Sequence, residues 1–432
     1  MRAARFSRYA ILLVLVAVAV CLSYTNTLAQ EKQKYMLAVI GSDNNLSIYD
    51  ADGKNPFPVT TDAKPPRSGY HWPTWSTDGR LAYFGVDAEA AKPYSLGVFV
   101  LDQVKAGVKP KMAYSSLDEA FTYAYWAPAN CPGSKCRDLA LLFTPSDGNG
   151  DLGLRLIRDN NGKFTDKEVG RAAPFFYSFS PDAKQMFWFR SGTEFGVYDV
   201  AANKVVKSLD DKPGQFAAPM WSPTDSRWLF GTAGDTDKKS NLVVAQGTTR
   251  QVLLPNQDNP LSFAWSPDSK LVASVSGFDK VVVTDAKTAK TVATSSQGKV
   301  VAHFWSPQSD RVAYLVIIRG DSGPQAFETR VRNNGHTVVE QATDGLVWHI
   351  LDVKTGADTT LPDKFLPTQD MVYLLNFFDQ FARSHSLWSP DGRYLTYASI
   401  DSFGQPNVII ADTHSGTTTR VGSGNLGIWS WH

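Results

Sequence analysis

The sequence predicts an all-β fold: a single β-propeller, read as eight four-stranded blades closed by pairing the N- and C-terminal strands, with seven blades as the alternative. Three observations carry it. An aromatic-Ser-Pro-Asp turn recurs along the chain, short apolar runs alternate with tight-turn residues, and the two ends complement each other as parts of one repeat.

The recurring turn begins with Trp75-Ser76-Thr77-Asp78-Gly79-Arg80. It returns as Trp126-Ala127-Pro128, Phe179-Ser180-Pro181-Asp182, Trp221-Ser222-Pro223-Thr224-Asp225, Trp265-Ser266-Pro267-Asp268, Trp305-Ser306-Pro307 and Trp388-Ser389-Pro390-Asp391-Gly392-Arg393, with a short copy at Trp429-Ser430-Trp431. The leading aromatics stand 51, 53, 42, 44, 40, 83 and 41 residues apart, and all but one gap suits a single propeller blade. Within a unit the aromatic closes a strand, and Pro and Gly supply the turn's preset and positive φ values. Apolar strands follow, such as Val408 to Asp412, without clean alternation, as blades covered on both faces require.

The chain ends account for closure. The copy at Trp429 offers a first strand with nothing after it, while Met36–Ile40, Leu46–Tyr49 and Phe57–Thr60 are three strands lacking a first. Joined, they make one composite blade and remove the edges of an open sheet. The 83-residue gap between Trp305 and Trp388 holds an enlarged blade with two insertions, residues 319–343 and 362–382, and one set of later strands.

Composition agrees. With 32 Gly, 24 Pro and 12% aromatics, the 432 residues suit many short strands, and 43% hydrophobic content supplies a large core. The 43 basic and 42 acidic residues form no cationic block, so nucleic acid is not expected as a partner.

Residues 1–29 read as a signal peptide: Arg2, Arg5 and Arg8, an apolar run from Tyr9 to about Leu22, and a cut after Ala29, leaving 30–432 as the propeller. An uncleaved anchor is the alternative and the one route to a membrane. Either reading places the protein outside the cytoplasm, periplasmic, secreted or at the cell surface. Cys131 and Cys136 then form an even pair in an oxidising compartment and are expected to make a disulfide.

The WSPDG-type turns at Trp75, Trp221, Trp265 and Trp388 resemble the TolB-like propeller repeat, a relative of WD-type repeats. The pattern is also similar to the propeller domain that precedes the hydrolase of dipeptidyl-peptidase-IV-like proteins. The resemblance runs from about Tyr35 to His432 and implies a propeller with an extracytoplasmic binding role, without naming a ligand.

Chemistry-bearing motifs are sparse. No GxSxG elbow is present, and Gly320-Asp321-Ser322-Gly323-Pro324 reads as a Gly-rich loop. Asp147, Asn149 and Asp151 alternate like calcium ligands, but Leu152 stands where the loop needs Gly and Arg158 where it needs a closing Glu, so no cofactor is expected. His71, His303 and His385 each precede a repeat aromatic by no more than four residues, which puts them on inner strands. With Trp72, Tyr123, Phe176 and Arg383 they are expected either to form the mouth of a ligand funnel or to pack the channel wall. The apolar insertion at 362–382 either covers one end of the channel or offers Tyr373, Phe377 and Phe378 to a partner.

The expectation is an exported, non-enzymatic, monomeric scaffold that binds a protein, a cell-envelope component or a ligand. The alternatives are a propeller enzyme of lyase, lactonase or hydrolase type with its site in the funnel, or the propeller partner of a separate peptidase chain.

Overall fold

The computed structural model describes residues 35–87, 95–128, 138–160, 162–215, 218–318 and 344–432. The leader, Cys131, Cys136, the Gly-rich loop at 320–324 and the insertion 319–343 lie outside the described residues. Antiparallel strands dominate. Five sheets have four strands each, with inner strands Ser68–Trp75, Glu119–Trp126, Phe175–Phe179, Met220–Trp221 and Leu261–Trp265.

A ten-stranded sheet completes the fold, running from Val300–Trp305 to Phe57–Pro58. It is continuous because two long strands each serve two blades. Asp358–Pro367 pairs with Gly345–Asp352 along most of its length and with Ser399 and Ile400 at its end. Thr418–Trp429 pairs first with Pro406–Asp412 and then, from Gly424 onward, with Met36–Gly41. The N-terminal strands thus hang on the C-terminal one, and the backbones of Met36 and Ser430 join at 2.8 Å.

The repeated Ser-Pro-Asp has a specific task. Ser180 Oγ accepts from the Gln185 N–H at 3.0 Å and donates to Asp182 at 2.7 Å; Ser266 does the same with Leu271 N–H and Asp268, and Ser389 with Tyr394 N–H and Asp391. One hydroxyl therefore ties the turn to the strand that follows it. The residue after the Asp sits in the left-handed region: φ is +86° at Gly79 and +68° at Gly392, where glycine adopts it freely. At Ser269 and Ser309 φ is +59° and +62°. There the serine hydroxyl accepts from a backbone N–H of the preceding turn, Thr224 or Asp268, at 3.1 Å in both cases. A hydrogen bond between blades offsets the backbone cost that glycine would have avoided.

The repeat aromatics also link blades. The indole N–H of Trp126 donates to Thr74 O, that of Trp305 to Ala264 O, that of Trp388 to Phe304 O and that of Trp75 to Ile428 O, at 2.9–3.1 Å. Each acceptor is the residue just before the previous blade's own tryptophan. This girdle lapses where Phe179 has no N–H to give, where Trp221 turns to Asp225 O of its own turn, and at Trp265 and Trp429, whose indole N–H groups find no acceptor among the described residues. Trp388→Phe, which deletes the donor at a buried acceptor together with part of the buried indole, is expected to cost at least about 1–3 kcal/mol in urea unfolding. A loss below a few tenths would mean that neither the indole N–H nor its packing supports the ring.

Candidate functional site: a plugged central channel

The insertion after Pro367 folds into two helices that close one end of the ring. Helix α1 spans Gln369–Asn376 and α2 spans Phe378–Phe381. Thr368 caps α1: its Oγ accepts from Met371 N–H at 3.3 Å and donates to Asn425 O at 2.6 Å. Met371, Leu374 and Leu375 turn inward.

The ring is bonded to this plug from several blades. Tyr373 Oη donates to Thr122 O at 3.1 Å and Tyr123 Oη to Gln380 O at 3.0 Å. The Asp379 carboxylate accepts from Ala218 N–H at 2.8 Å, and Arg383 Nη1 donates to Pro219 O at 3.3 Å. Inner strands shift register at the contact, between His71 and Thr74, between Phe121 and Tyr123, and between Val300 and Ala302. The first bulge sets Trp72 at φ +53° and lays its ring against Tyr373 at 5.3 Å and Phe381 at 5.0 Å.

A recess of about 570 Å³ remains beside the plug, between α1 and the inner-strand starts at Leu261 and Val300, while the channel itself is open at its other end. A cavity of about 380 Å³ is walled by the repeat aromatics at the ends of the inner strands, among them Trp75, Trp126, Phe179, Trp221, Trp265 and Trp388, and by the prolines of their turns. Ala382, Arg383 and His385, at the end of the plug, lie in its wall with His303.

The expected funnel residues therefore separate. His303, Arg383 and His385 line this cavity, while Trp72 and Tyr123 are buried against the plug. Phe176 packs between neighbouring sheets with Trp221 and Phe230, and His71 borders a smaller recess of about 230 Å³ with Trp72 and Phe121. The starts of the inner strands, expected as the mouth, are occupied by α1 and α2. Of the expected partner-facing aromatics, Phe378 is buried between His303 and Phe304, and Tyr373 and Phe377 are half-buried against each other. Tyr125 and the girdle tryptophans line the cavity without having been singled out. Their signal was the repeat itself, read as a strand terminator.

Burial governs the titrating groups. His385 is fully enclosed, with Nε2 at 3.0 Å from Thr74 Oγ1 and Nδ1 at 2.7 Å from Ser384 Oγ. Thr74 Oγ1 also donates to Trp72 O at 2.9 Å and Ser384 Oγ to Phe381 O at 3.3 Å, so both ring nitrogens of His385 face hydroxyls that are tied to backbone carbonyls as well. Burial pushes His385 and His303 down to about 3, which leaves both neutral at physiological pH. The Asp379 carboxyl is raised by burial, against the pull of Ala218 N–H and Arg383. Asp147 is paired with Arg171 and accepts from Asn149 N–H. Among the described residues no three His, Cys, Asp or Glu side chains gather as a metal site.

No protein-family model and no curated protein matches the chain. Solved structures do. A eukaryotic initiation factor structure aligns at 10% identity over 92% of this chain and 98% of its own, with a TM-score of 0.52. An oligogalacturonate lyase in complex with manganese aligns at 12% identity over 88% and 96%, TM-score 0.47. TolB from Acinetobacter baumannii aligns at 15% identity over 84% and 82%, TM-score 0.37. With the repeated turns, the four-stranded sheets and the joined ends, the fold is that of a β-propeller.

Proposed function

We propose that this chain is an exported, non-enzymatic propeller of eight blades that binds a ligand or protein partner at the turn-bearing face of its ring. Eight inner-strand aromatics support the blade count: Trp75, Trp126, Phe179, Trp221, Trp265, Trp305, Trp388 and Trp429. The basic and apolar leader supports export, and the Cys131–Cys136 pair suits the oxidising compartment it leads to.

The observation that carries the reading is the aromatic-walled cavity itself. One end of the channel is filled by α1 and α2, while the other keeps a concave, mainly apolar space with a few polar groups at its inner end. That is the usual character of a ligand pocket. Both histidines there are neutral and enclosed, which suits wall packing and orientation better than proton transfer near neutral pH.

The test is retention. Immobilised mature chain is incubated with an extracytoplasmic extract and washed, and bound molecules are read by mass spectrometry. The comparison is Thr77→Trp, which crowds the cavity rim from an exposed turn position. A species held by the wild type and lost in the still-folded variant supports the reading. Equal retention by both sinks it, and chemical conversion of the retained species would favour the enzyme alternative.

A further inference from the structure

We infer that the central cavity takes a small carboxylate carried on a flat apolar body, with the Arg383 guanidinium as its counter-charge. The inference rests on the reading of the cavity as a binding site and assigns the chemistry of what it binds.

Charge comes first. Among the described residues that line the cavity, Arg383 is the one side chain charged at neutral pH, since His303 and His385 are neutral. Every other lining group is aromatic, aliphatic, hydroxyl or proline. A lone cation in a poorly hydrated, low-dielectric wall favours an anion over a neutral molecule of the same shape.

Geometry narrows the anion. Arg383 Nη1 is held by Pro219 O, whereas Nε and Nη2 are shut off from water and find no acceptor among the described residues. These two nitrogens form the guanidinium edge whose N–H bonds run parallel, the edge that a carboxylate engages with both oxygens. The acid nearest in effect, Asp379, has its oxygens taken by the N–H groups of Ala218 and Gln380 and makes no ion pair with Arg383. Its field reaches the guanidinium without satisfying the fork. Binding requires the last side-chain torsions of Arg383 to turn that edge into the cavity. Because folding has already stripped both donors of water, that part of the desolvation is complete before a ligand arrives.

The wall sets the rest of the ligand. Tryptophan and proline surfaces around about 380 Å³ suit a ring-sized apolar body, with its carboxylate directed to Arg383 at the inner end. Two enclosed donors without an acceptor among the described residues, on a half-buried guanidinium, add nothing to the fold, and a bidentate anion would satisfy both.

The experiment pairs phenylacetate with phenylacetamide as probes of one shape and different charge, titrated by calorimetry into the mature chain. Phenylacetate is expected to bind about tenfold or more tighter than the amide, as a charge-assisted fork implies. Arg383→Met is expected to erase that gap while lowering Tm by no more than the loss of its single 3.3 Å bond to Pro219 O explains. Equal affinities in the wild type overturn the carboxylate assignment and leave the cavity reading standing. No binding of either probe at millimolar concentration also overturns it, and extract retention then decides the cavity reading separately. A gap that survives Arg383→Met overturns the role of Arg383. Should that variant not fold, Arg383→Lys keeps the charge without the fork, and an undiminished gap there is equally fatal.

Discussion

Replacing Phe381 by alanine is expected to lower stability by about 3–5 kcal/mol, the range for emptying a buried aromatic site. Phe381 is 1% exposed, and its ring lies 5.0 Å from Trp72, 5.0 Å from Tyr123 and 4.9 Å from His385. Those three partners come from two blades and from the plug's own end, so the cavity left behind cannot collapse without moving the ring. Urea unfolding followed by tryptophan fluorescence measures the effect. A loss under about 1 kcal/mol would show that α1 and α2 sit on the ring without sharing its cooperative core.

Acidification gives the second large effect. His303 and His385 titrate at about 3 in the folded chain and near 6.5 when unfolded. Between those values the unfolded state binds the extra protons, so stability is complete above about pH 6.5 and falls as the pH drops. At pH 5 each histidine has removed roughly 2 kcal/mol, about 4 together, at 1.36 kcal/mol per pH unit.

Three buried carboxyls, Asp138, Asp370 and Asp379, work in the opposite sense. Burial raises Asp138, against the pull of Arg158, and Asp370 to about 6. The folded state therefore holds the protons of Asp138 and Asp370 first and gains roughly 1.4 kcal/mol from each between pH 7.5 and pH 5. Burial also pushes His71 and His349 down and Asp379 up, so contributions of both signs meet in the wild type and the histidine part is read from a variant. The sharper test is His303→Gln/His385→Gln, which removes the titrating rings while keeping polar side chains. It should lose roughly 4 kcal/mol less than the wild type over the same interval, and an unchanged acid limb would show that the rings are reached by water before unfolding.

The ring was legible in the sequence because its determinants are local and repeated. Ser-Pro-Asp brings acceptor, preset φ and carboxylate within three residues, enough to place each turn without knowing what it packs on. The composite blade was legible because Met36–Gly41 and Leu426–Trp429 are each incomplete units of the same pattern. Which end of the channel stays open was not legible. That depends on Tyr123 meeting Gln380 and Asp379 meeting Ala218, contacts between residues 257 and 161 positions apart that no periodicity encodes. The apolar insertion announced that it would bury something and left open whether the cover was the ring or a partner. Trp72 was placed on an inner strand, but the bulge that aims it at the plug has no sequence signal beyond the adjacent Pro73.

The strand Thr418–Trp429 sets an order on folding. Its second half is the only hydrogen-bonded neighbour of Met36–Gly41 besides Leu46–Asp50 among the described residues, and that pairing spans nearly the whole chain. Until it forms, two flanks remain as unpaired sheet edges, open to strands of other molecules. The pairing is of the highest sequence separation in the fold, so the closing blade is expected to appear as the slow phase of refolding, with aggregation greatest in the interval before it. A chaperone that shields the strand Met36–Gly41 during that interval would raise the yield of native protein without altering its final stability.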